Sequence, residues 1–138
     1  MEKDTQNAID LLERGDYTCA VCRGKTSYTA TARGVKPLVT WLDSDIDLRG
    51  FCAADRVVGR ATAFLYCLLG VREVYARVMS YPAYEVLQQH GISAQPQLLV
   101  DGIINRRGTG PCPFEAAVMD ITDADEALQA IRAKMAAM

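Results

Sequence analysis

The spacing of apolar residues along the chain predicts an ordered series of helices and strands. The first helix covers residues 4–14, where apolar positions share one face, with Asp4 as the expected cap and Gly15 as the end. Residues 17–22 and 26–31 form two runs rich in β-branched and aromatic side chains around a glycine-containing turn. Such a pair of runs predicts a β-hairpin.

The middle of the chain predicts two further helices. A short one covers residues 34–44, with Pro37 tolerated in its first turn. A longer one covers residues 52–69, where apolar residues recur at helical spacing and, in the second half, cover nearly all sides, as in a buried helix. In that helix Asp55 and Gly59 would lie one turn apart on the same face.

The second half of the chain alternates between strands and helices. Ser80 is the expected cap of one helix, and Asp123, with Glu126 three residues later, is the expected cap of another. Asp101 and Gly102 suit a tight turn that folds the last extended run on itself. In order, the pattern predicts a strand over 72–80, a helix over 80–91, an extended run over 95–105, and helices over 113–119 and 124–138.

Together these elements predict one three-layer α-β-α domain over residues 1–138, with a mixed sheet of four or five strands. The hairpin supplies the antiparallel part of the sheet. The later strand-helix-strand unit supplies the parallel part, because only a crossover connection returns the chain to a neighbouring parallel strand. A length of 138 residues suits a single domain with one core.

Charge and composition exclude several classes of function. The chain carries 15 basic and 17 acidic residues, for a formal net charge of −2, without a long run of either sign. We therefore expect neither a nucleic-acid partner nor a membrane partner. The amino-terminal sequence MEKDTQNAIDLLERGD lacks the apolar core of a signal peptide, so we expect a cytoplasmic protein whose five cysteines are reduced thiols. The sequence leaves open whether the chain forms a homo-oligomer.

Four short motifs resemble one protein family. They are GVKP at 34–37, DRVVGRA at 55–61, VREVYA at 71–76 and INRRGTGPCPFE at 104–115. Together they are similar to the small uncharacterised proteins of domain of unknown function 1893, which is grouped with the cytidine deaminase-like fold. The resemblance implies that fold and no established activity. The order of the predicted elements is also that of the cytidine deaminases.

The zinc motifs of a working deaminase are missing from the predicted helix starts. Zinc deamination needs a His or Cys with a Glu two residues later at the start of one helix, and Pro-Cys-x-x-Cys at the start of the next. The predicted helix at 52–69 has Ala54 in the glutamate position, and the next one, at 80–91, has no cysteine. Pro111-Cys112 begins like the second motif but lacks its second cysteine. We therefore expect no zinc and no other cofactor.

The remaining cysteines and the single histidine favour structural roles. Cys19 and Cys22 lie three residues apart in a predicted strand, which directs their thiols to opposite faces of the sheet. A four-thiol zinc site formed by these two residues with Cys52 and Cys112 stays open as an alternative, although a second close pair is missing. His90 falls in the last turn of its predicted helix, where capping is favoured over catalysis.

Asp55 and Gly59 form the first candidate site. A glycine inside a helix costs roughly 1 kcal/mol relative to alanine, which indicates that another group approaches closely. The alternative is structural. A neighbouring helix would pack against Gly59, and Asp55 would favour the positive end of the helix dipole.

The second candidate site is the polar stretch that precedes the helix at 113–119. Gly108 and Gly110 allow positive φ, Thr109 offers a hydroxyl, and the helix start presents amides without internal partners, which is typical of phosphate or carboxylate binding. The alternative is that Glu115 caps the helix and the stretch is a structural loop. The candidate ligand-binding residues are Asn105, Arg106, Arg107, Gly108, Thr109, Gly110 and Glu115, together with Gly59.

Two hypotheses about function follow. In the first, the protein binds a nucleotide or another small phosphate-bearing ligand at residues 105–115 without a metal, with Asp55 across the cleft. In the second, Cys112 is activated at a helix N-terminus and acts as the nucleophile of a metal-free enzyme, with Asp55 as the other catalytic candidate. The first is favoured because no general base lies beside Cys112 in the sequence.

Overall fold

A five-stranded mixed sheet organises the described part of the chain, which in this computed structural model is residues 1–105 and 107–138. The predicted ligand-binding residue Arg106 lies outside the described residues. The strands are β1 (Cys19–Arg23), β2 (Thr26–Ala30), β3 (Cys52–Val58), β4 (Glu73–Ser80) and β5 (Ser93–Val100). The helices are α1 (Lys3–Arg14), α2 (Lys36–Leu42), α3 (Arg60–Leu69), α4 (Tyr81–Gln89), α5 (Pro113–Val118) and α6 (Ala124–Ala136).

The strand order is β2-β1-β3-β4-β5. Strand β1 pairs antiparallel with both β2 and β3, whereas β3, β4 and β5 are parallel. Helices α3 and α4 make the two crossovers between the parallel strands. The mixed sheet, its amino-terminal hairpin and its parallel half are confirmed, and the number of strands in the described residues is five.

Helices cover both faces of the sheet, but unequally. On one face α1 packs its apolar side against Ala20, Cys22 and Ala54. On the other face a larger core joins the sheet to α2, α3, α4, α5 and α6, with Phe64 and Tyr66 among its fully buried side chains. None of the helices in the described residues has the length and apolar character needed to cross a membrane.

The single helix predicted over residues 52–69 is wrong. Residues 52–58 form β3, and α3 starts after Gly59, whose extended backbone (φ −96°, ψ −178°) makes it the N-terminal cap. A central strand buried on both faces has no polar alternation, so its apolar run resembles that of a buried helix. Asp55 and Gly59 therefore do not share a helix face. Asp55 belongs to a strand, and Gly59 marks the break.

Two smaller predictions also need correction. Helix α1 begins at Lys3 rather than after Asp4, and the Asp4 carboxylate instead accepts a hydrogen bond from the Gly24 amide at 3.1 Å. The extended run does not form a hairpin at residues 101–102, because β5 ends at Val100 and the antiparallel bridge that follows joins Ile104 to Pro111.

Both predicted side-chain caps of the later helices are confirmed. The Ser80 hydroxyl accepts a hydrogen bond from the Ala83 amide at 3.2 Å at the start of α4. The Asp123 carboxylate accepts one from the Glu126 amide at 3.0 Å at the start of α6. A short polar side chain followed by a helical apolar pattern was a sufficient signal at both positions.

Candidate functional site

A cavity of about 330 Å³ opens at the carboxyl end of β3. Its lining comes from segments far apart in sequence: residues 18–19, 33–37, 55–62, 103 and 112–115. The volume lies in the range of small-molecule sites, about 300–1,000 Å³. The carboxyl ends of parallel strands are also where open α/β sheets usually bind ligands. The cavity is therefore the candidate functional site.

Among the described residues, four of the predicted site residues line this cavity: Asp55, Gly59, Cys112 and Glu115. The fold thus brings residues of both candidate sites to one cavity. The other described candidates, at positions 105 and 107–110, are not among the lining residues. They form the turn that precedes the cavity wall.

Asp55 is the most buried acidic group in the cavity, with 8% of its surface exposed. Its Oδ1 accepts hydrogen bonds from the amides of Arg56 (2.8 Å) and Val57 (3.4 Å), and its Oδ2 accepts one from the Tyr66 hydroxyl (2.7 Å). Burial raises the pKa of the Asp55 carboxyl to about 6, and these donors only partly offset the effect. Asp55 is therefore close to half protonated in mildly acidic solution.

Cys19 lies beside Asp55 in the same part of the cavity. Burial, reinforced by the negative charge of Asp55, raises the pKa of the Cys19 thiol well above its usual value. The same two causes raise the pKa of the Tyr66 hydroxyl. Both groups are consequently neutral near pH 7, and Asp55 carries whatever charge this cluster has.

Glu115 occupies the amino end of α3 rather than capping its own helix. Its Oε1 accepts a hydrogen bond from the Arg60 amide at 2.8 Å, and its Oε2 accepts one from the Ala61 amide at 2.9 Å. A carboxylate is favourable there because the first amides of a helix lack partners and carry partial positive charge. This pair of contacts explains Gly59, since a Cβ at that position would lie 2.5 Å from the Glu115 carboxyl carbon.

The Arg60 side chain also donates hydrogen bonds from α3 to the segment that contains and follows α5. Its guanidinium donates from Nε to the Val118 carbonyl at 3.1 Å, and from a terminal nitrogen to the Ile121 carbonyl. These carbonyls end or follow α5, where backbone acceptors lack helical partners. The start of α3 is therefore hydrogen-bonded to both the beginning and the end of the segment around α5.

A small hairpin brings the described residues 103–105 beside residues 110–112. Ile104 bridges Pro111, and Gly108 takes a left-handed φ of 69° while Gly110 does not. The Asn105 side chain accepts a hydrogen bond from the Thr109 amide at 3.1 Å, and the Gly108 amide donates to the Asn105 carbonyl at 3.0 Å. The amides of Gly108 and Thr109, which the sequence suggested as donors to an anion, therefore donate within the hairpin.

Basic and apolar side chains complete the cavity. Arg33 is exposed at its edge, and Arg56 is anchored by a 2.7 Å hydrogen bond from Nε to the Tyr17 carbonyl. Val35, Ile103 and Phe114 supply apolar walls. Sequence reasoning missed Arg33, Arg56 and Val35 as site residues. The signal available for them was that they lie in or beside the GVKP and DRVVGRA motifs.

The helix starts do not fit a deaminase zinc site. With the corrected boundaries α3 begins Arg60-Ala61-Thr62 and α4 begins Tyr81-Pro82-Ala83, and neither stretch contains His, Cys or Glu. Among residues 1–105 and 107–138, no three His, Cys, Asp or Glu side chains come together as a metal site requires. Zinc deamination therefore has no support from these residues.

Cys19, Cys22 and His90 lie in structural surroundings. Cys19 and Cys22 belong to the cores on opposite faces of the sheet, as their spacing predicted. His90 is the C-terminal cap of α4, with Nδ1 at 2.8 Å from the Val86 carbonyl. Of these three residues, Cys19 lines the cavity, whereas Cys22 and His90 do not.

Fold and site together define a small α/β protein with a ligand-sized cavity at the carboxyl edge of a mixed sheet. The chain belongs to the TM1506 family, described as a domain of unknown function (DUF1893), whose model matches residues 7–135. The family suggested by the four sequence motifs is thereby confirmed.

A solved structure supports the same fold. The crystal structure of a DUF1893 family protein (TM1506) from Thermotoga maritima is similar to this chain with a TM-score of 0.88 at 24% sequence identity. The alignment covers 97% of this chain and 92% of that one. At this identity the similarity establishes the fold alone. No curated protein matches the chain.

Proposed function

We propose that this protein binds a nucleotide or another small phosphate-bearing ligand in the cavity at the carboxyl end of β3. The observation that carries the proposal is the convergence of distant segments on one cavity. Three of the four motifs that resemble the family, GVKP, DRVVGRA and INRRGTGPCPFE, contribute lining residues. Packing of the core alone does not require these segments to enclose an empty volume of this size.

The polarity of the cavity favours a ligand with two different ends. Asp55 accepts three hydrogen bonds and has lone-pair capacity left on Oδ2, so it suits an N–H or O–H group on a ring. Val35 and Phe114 suit the apolar faces of that ring. At the exposed edge, Arg33 and Arg56 suit a phosphate through charge-assisted hydrogen bonds.

In this proposal, residues 105–115 do not supply the phosphate contact that the sequence predicted for them. The amides of Gly108 and Thr109 are engaged inside the hairpin, so the phosphate contact is assigned to the arginines at the cavity edge. Within that stretch, Cys112 and Glu115 face the cavity directly.

The relation to the cytidine deaminase-like fold is part of the same proposal. The order of helix, hairpin and parallel strand-helix units supports this relation. The cavity also lies at the start of the helix after β3, where a deaminase would place its first zinc ligand. Here the Glu115 carboxylate occupies that helix start, which favours binding without a metal.

A second candidate function is a metal-free enzyme with Cys112 as its nucleophile. Cys112 is half-buried, directly precedes α5 and lines the cavity together with Asp55. On this hypothesis Asp55, which lines the same cavity, is the candidate acid or base. Faster alkylation of Cys112 by iodoacetamide than of the other four cysteines is expected on this hypothesis, and equal or slower alkylation rejects it.

Thermal unfolding in the presence of nucleotides tests the binding proposal. We expect the nucleoside 5′-monophosphates to raise the melting temperature more than the matching nucleosides, because only the former reach the arginines. At a concentration about 100 times the dissociation constant, the gain in unfolding free energy is about 2.7 kcal/mol. Arg33→Ala should reduce the shift, and Lys25→Ala, in the distant hairpin turn, should leave it unchanged. Absence of any shift across nucleotides, dinucleotides and sugar phosphates would reject the proposal.

A further inference from the structure

At the front of one cavity wall, a single acidic side chain makes the polar contacts with α3. This wall, residues 112–118, contributes Cys112, Phe114 and Glu115 to the lining. Its carboxyl end is fixed in the core by Val118, which is fully buried. Its amino end is fixed to the body by the two hydrogen bonds from α3 to the Glu115 carboxylate.

The described part of the segment that leads into this wall is bonded mainly within itself. In the described residues 103–105 and 107–111, the hydrogen bonds join the two arms of the hairpin to each other and to Cys112, for example from the Cys112 amide to the Ile103 carbonyl at 2.9 Å. Glu115 therefore joins the front of the wall to the start of α3, while the Arg60 guanidinium joins the carboxyl end of the wall to the same helix.

Gly59 leaves room for the Glu115 carboxylate at the start of α3. Because the Glu115 carboxyl group lies where a Cβ of residue 59 would be, any larger residue forces the carboxylate away from the amides of α3. The backbone of Gly59 is extended and would accept alanine without strain. The need for glycine at this position thus comes from the contact with Glu115 rather than from backbone conformation.

We propose that the contact between the Glu115 carboxylate and the amides of Arg60 and Ala61 is a latch that controls entry to the cavity. With the latch closed, the wall covers Cys19 and Asp55. With the latch open, the wall moves away from β3 and solvent or ligand reaches them. This inference rests on the proposed ligand-binding role of the cavity, but it concerns access and is independent of which ligand binds.

Alkylation of two buried cysteines tests the latch without any ligand. Cys19 is 2% exposed and lines the cavity, whereas Cys22 is 3% exposed and belongs to the core on the other face of the sheet. Burial raises the pKa of both thiols, so both react slowly with iodoacetamide in the closed protein. Peptide mapping over time measures the two rates in one sample, with Cys22 as the internal control.

We expect Gly59→Ala and Glu115→Ala each to accelerate alkylation of Cys19 about tenfold while the rate at Cys22 stays unchanged. Glu126→Ala, an exposed acidic residue in the first turn of α6, is the matched control and should change neither rate. Glu115→Gln keeps one acceptor and should give a smaller acceleration.

Two results would overturn the latch. Either Cys19 is no faster in the variants, so that the wall is fixed without Glu115, or Cys19 and Cys22 accelerate together, so that the variants loosen the whole fold. Because no nucleotide is present, failure of the latch does not bear on the thermal-shift test, and failure of that test does not bear on the latch.

Discussion

Two buried acidic side chains on neighbouring strands have opposite properties. Glu73 begins β4 on the face covered by α1, and Asp55 lies three positions further along the paired register of β3, on the opposite face. Glu73 is 3% exposed, yet it accepts hydrogen bonds from the Thr5 hydroxyl (2.6 Å), the Glu2 amide (2.9 Å) and the Ser93 hydroxyl (2.8 Å). Burial alone would raise the pKa of Glu73, but these donors together hold it below its usual value.

The different donors of the two carboxylates indicate a structural role for Glu73 and suit Asp55 to contact with a ligand. The donors to Glu73 come from α1 with its cap residue and from β5, so hydrogen bonds to this carboxylate connect α1, β4 and β5. The donors to Asp55 are two amides of its own strand and one phenol, and they leave its pKa raised to about 6. A group whose charged form is incompletely compensated gains most from a further donor, and in Asp55 that donor can come from the cavity.

The largest expected effect is that of removing the structural carboxylate. Glu73→Ala should lower the free energy of unfolding by about 3–5 kcal/mol, because the buried Thr5 hydroxyl loses its acceptor and α1 loses its polar anchor. Urea denaturation followed by circular dichroism measures this change. Glu85→Ala, an exposed residue of α4, is the control and should stay within about 0.5 kcal/mol of the wild type. A small effect at Glu73 would contradict its structural role.

The next effect is a pH dependence specific to Asp55. The pKa of Asp55 in the folded protein is raised above the usual 3.8 to about 6, so this group adds stability below pH 4 that is lost as the pH rises through 6. Relative to Asp55→Asn, the wild type should therefore lose up to about 3 kcal/mol of unfolding free energy between pH 4 and 7. Urea unfolding of both proteins across this range measures the difference.

Asparagine is a suitable substitute at this position. Its oxygen can still accept from the two backbone amides, and its nitrogen can donate to the Tyr66 oxygen. Parallel stability curves for the two proteins would show that the folded protein does not raise the pKa of Asp55. For Glu73 the sign is reversed, since its lowered pKa gives stability that is lost as the pH falls.

The smallest effect comes from removing one donor to Asp55. Tyr66→Phe deletes the hydroxyl that donates to Oδ2 at 2.7 Å, so the pKa of Asp55 should rise further and the unfolding free energy should fall by about 1 kcal/mol. Carbon NMR of protein labelled at the aspartate carboxyl groups follows the titration directly. An unchanged pKa would mean that the backbone amides alone set the charge of Asp55.

The sequence identified most elements but not the boundary that matters for the site. Turn and cap signals at Ser80 and Asp123 are local, and the structure has both caps as predicted. Strand β3 was missed because burial on both faces removes the alternation by which strands are recognised. Gly59 was noticed as unusual, but its cause, a carboxylate from residue 115, depends on tertiary structure.

Site residues were found where they are chemically conspicuous and missed where they are not. Asp55, Cys112 and Glu115 stood out by residue type, and all three line the cavity. Glu73 was overlooked, because nothing in the local pattern distinguishes a buried acid at a strand start from an exposed one. The partners that decide its state, at positions 5 and 93, come together only in the folded chain.

The contact between Glu115 and α3 joins residues 55 positions apart, which has a consequence for biosynthesis. As the chain leaves the ribosome, all five strands and α3 are available before residue 115 has emerged. At that stage the first amides of α3 have no carboxylate, and the cavity side of the sheet is open to solvent. Closing the cavity wall is therefore a late step of folding, and a nascent chain that stops before α5 exposes the interior that the finished protein covers.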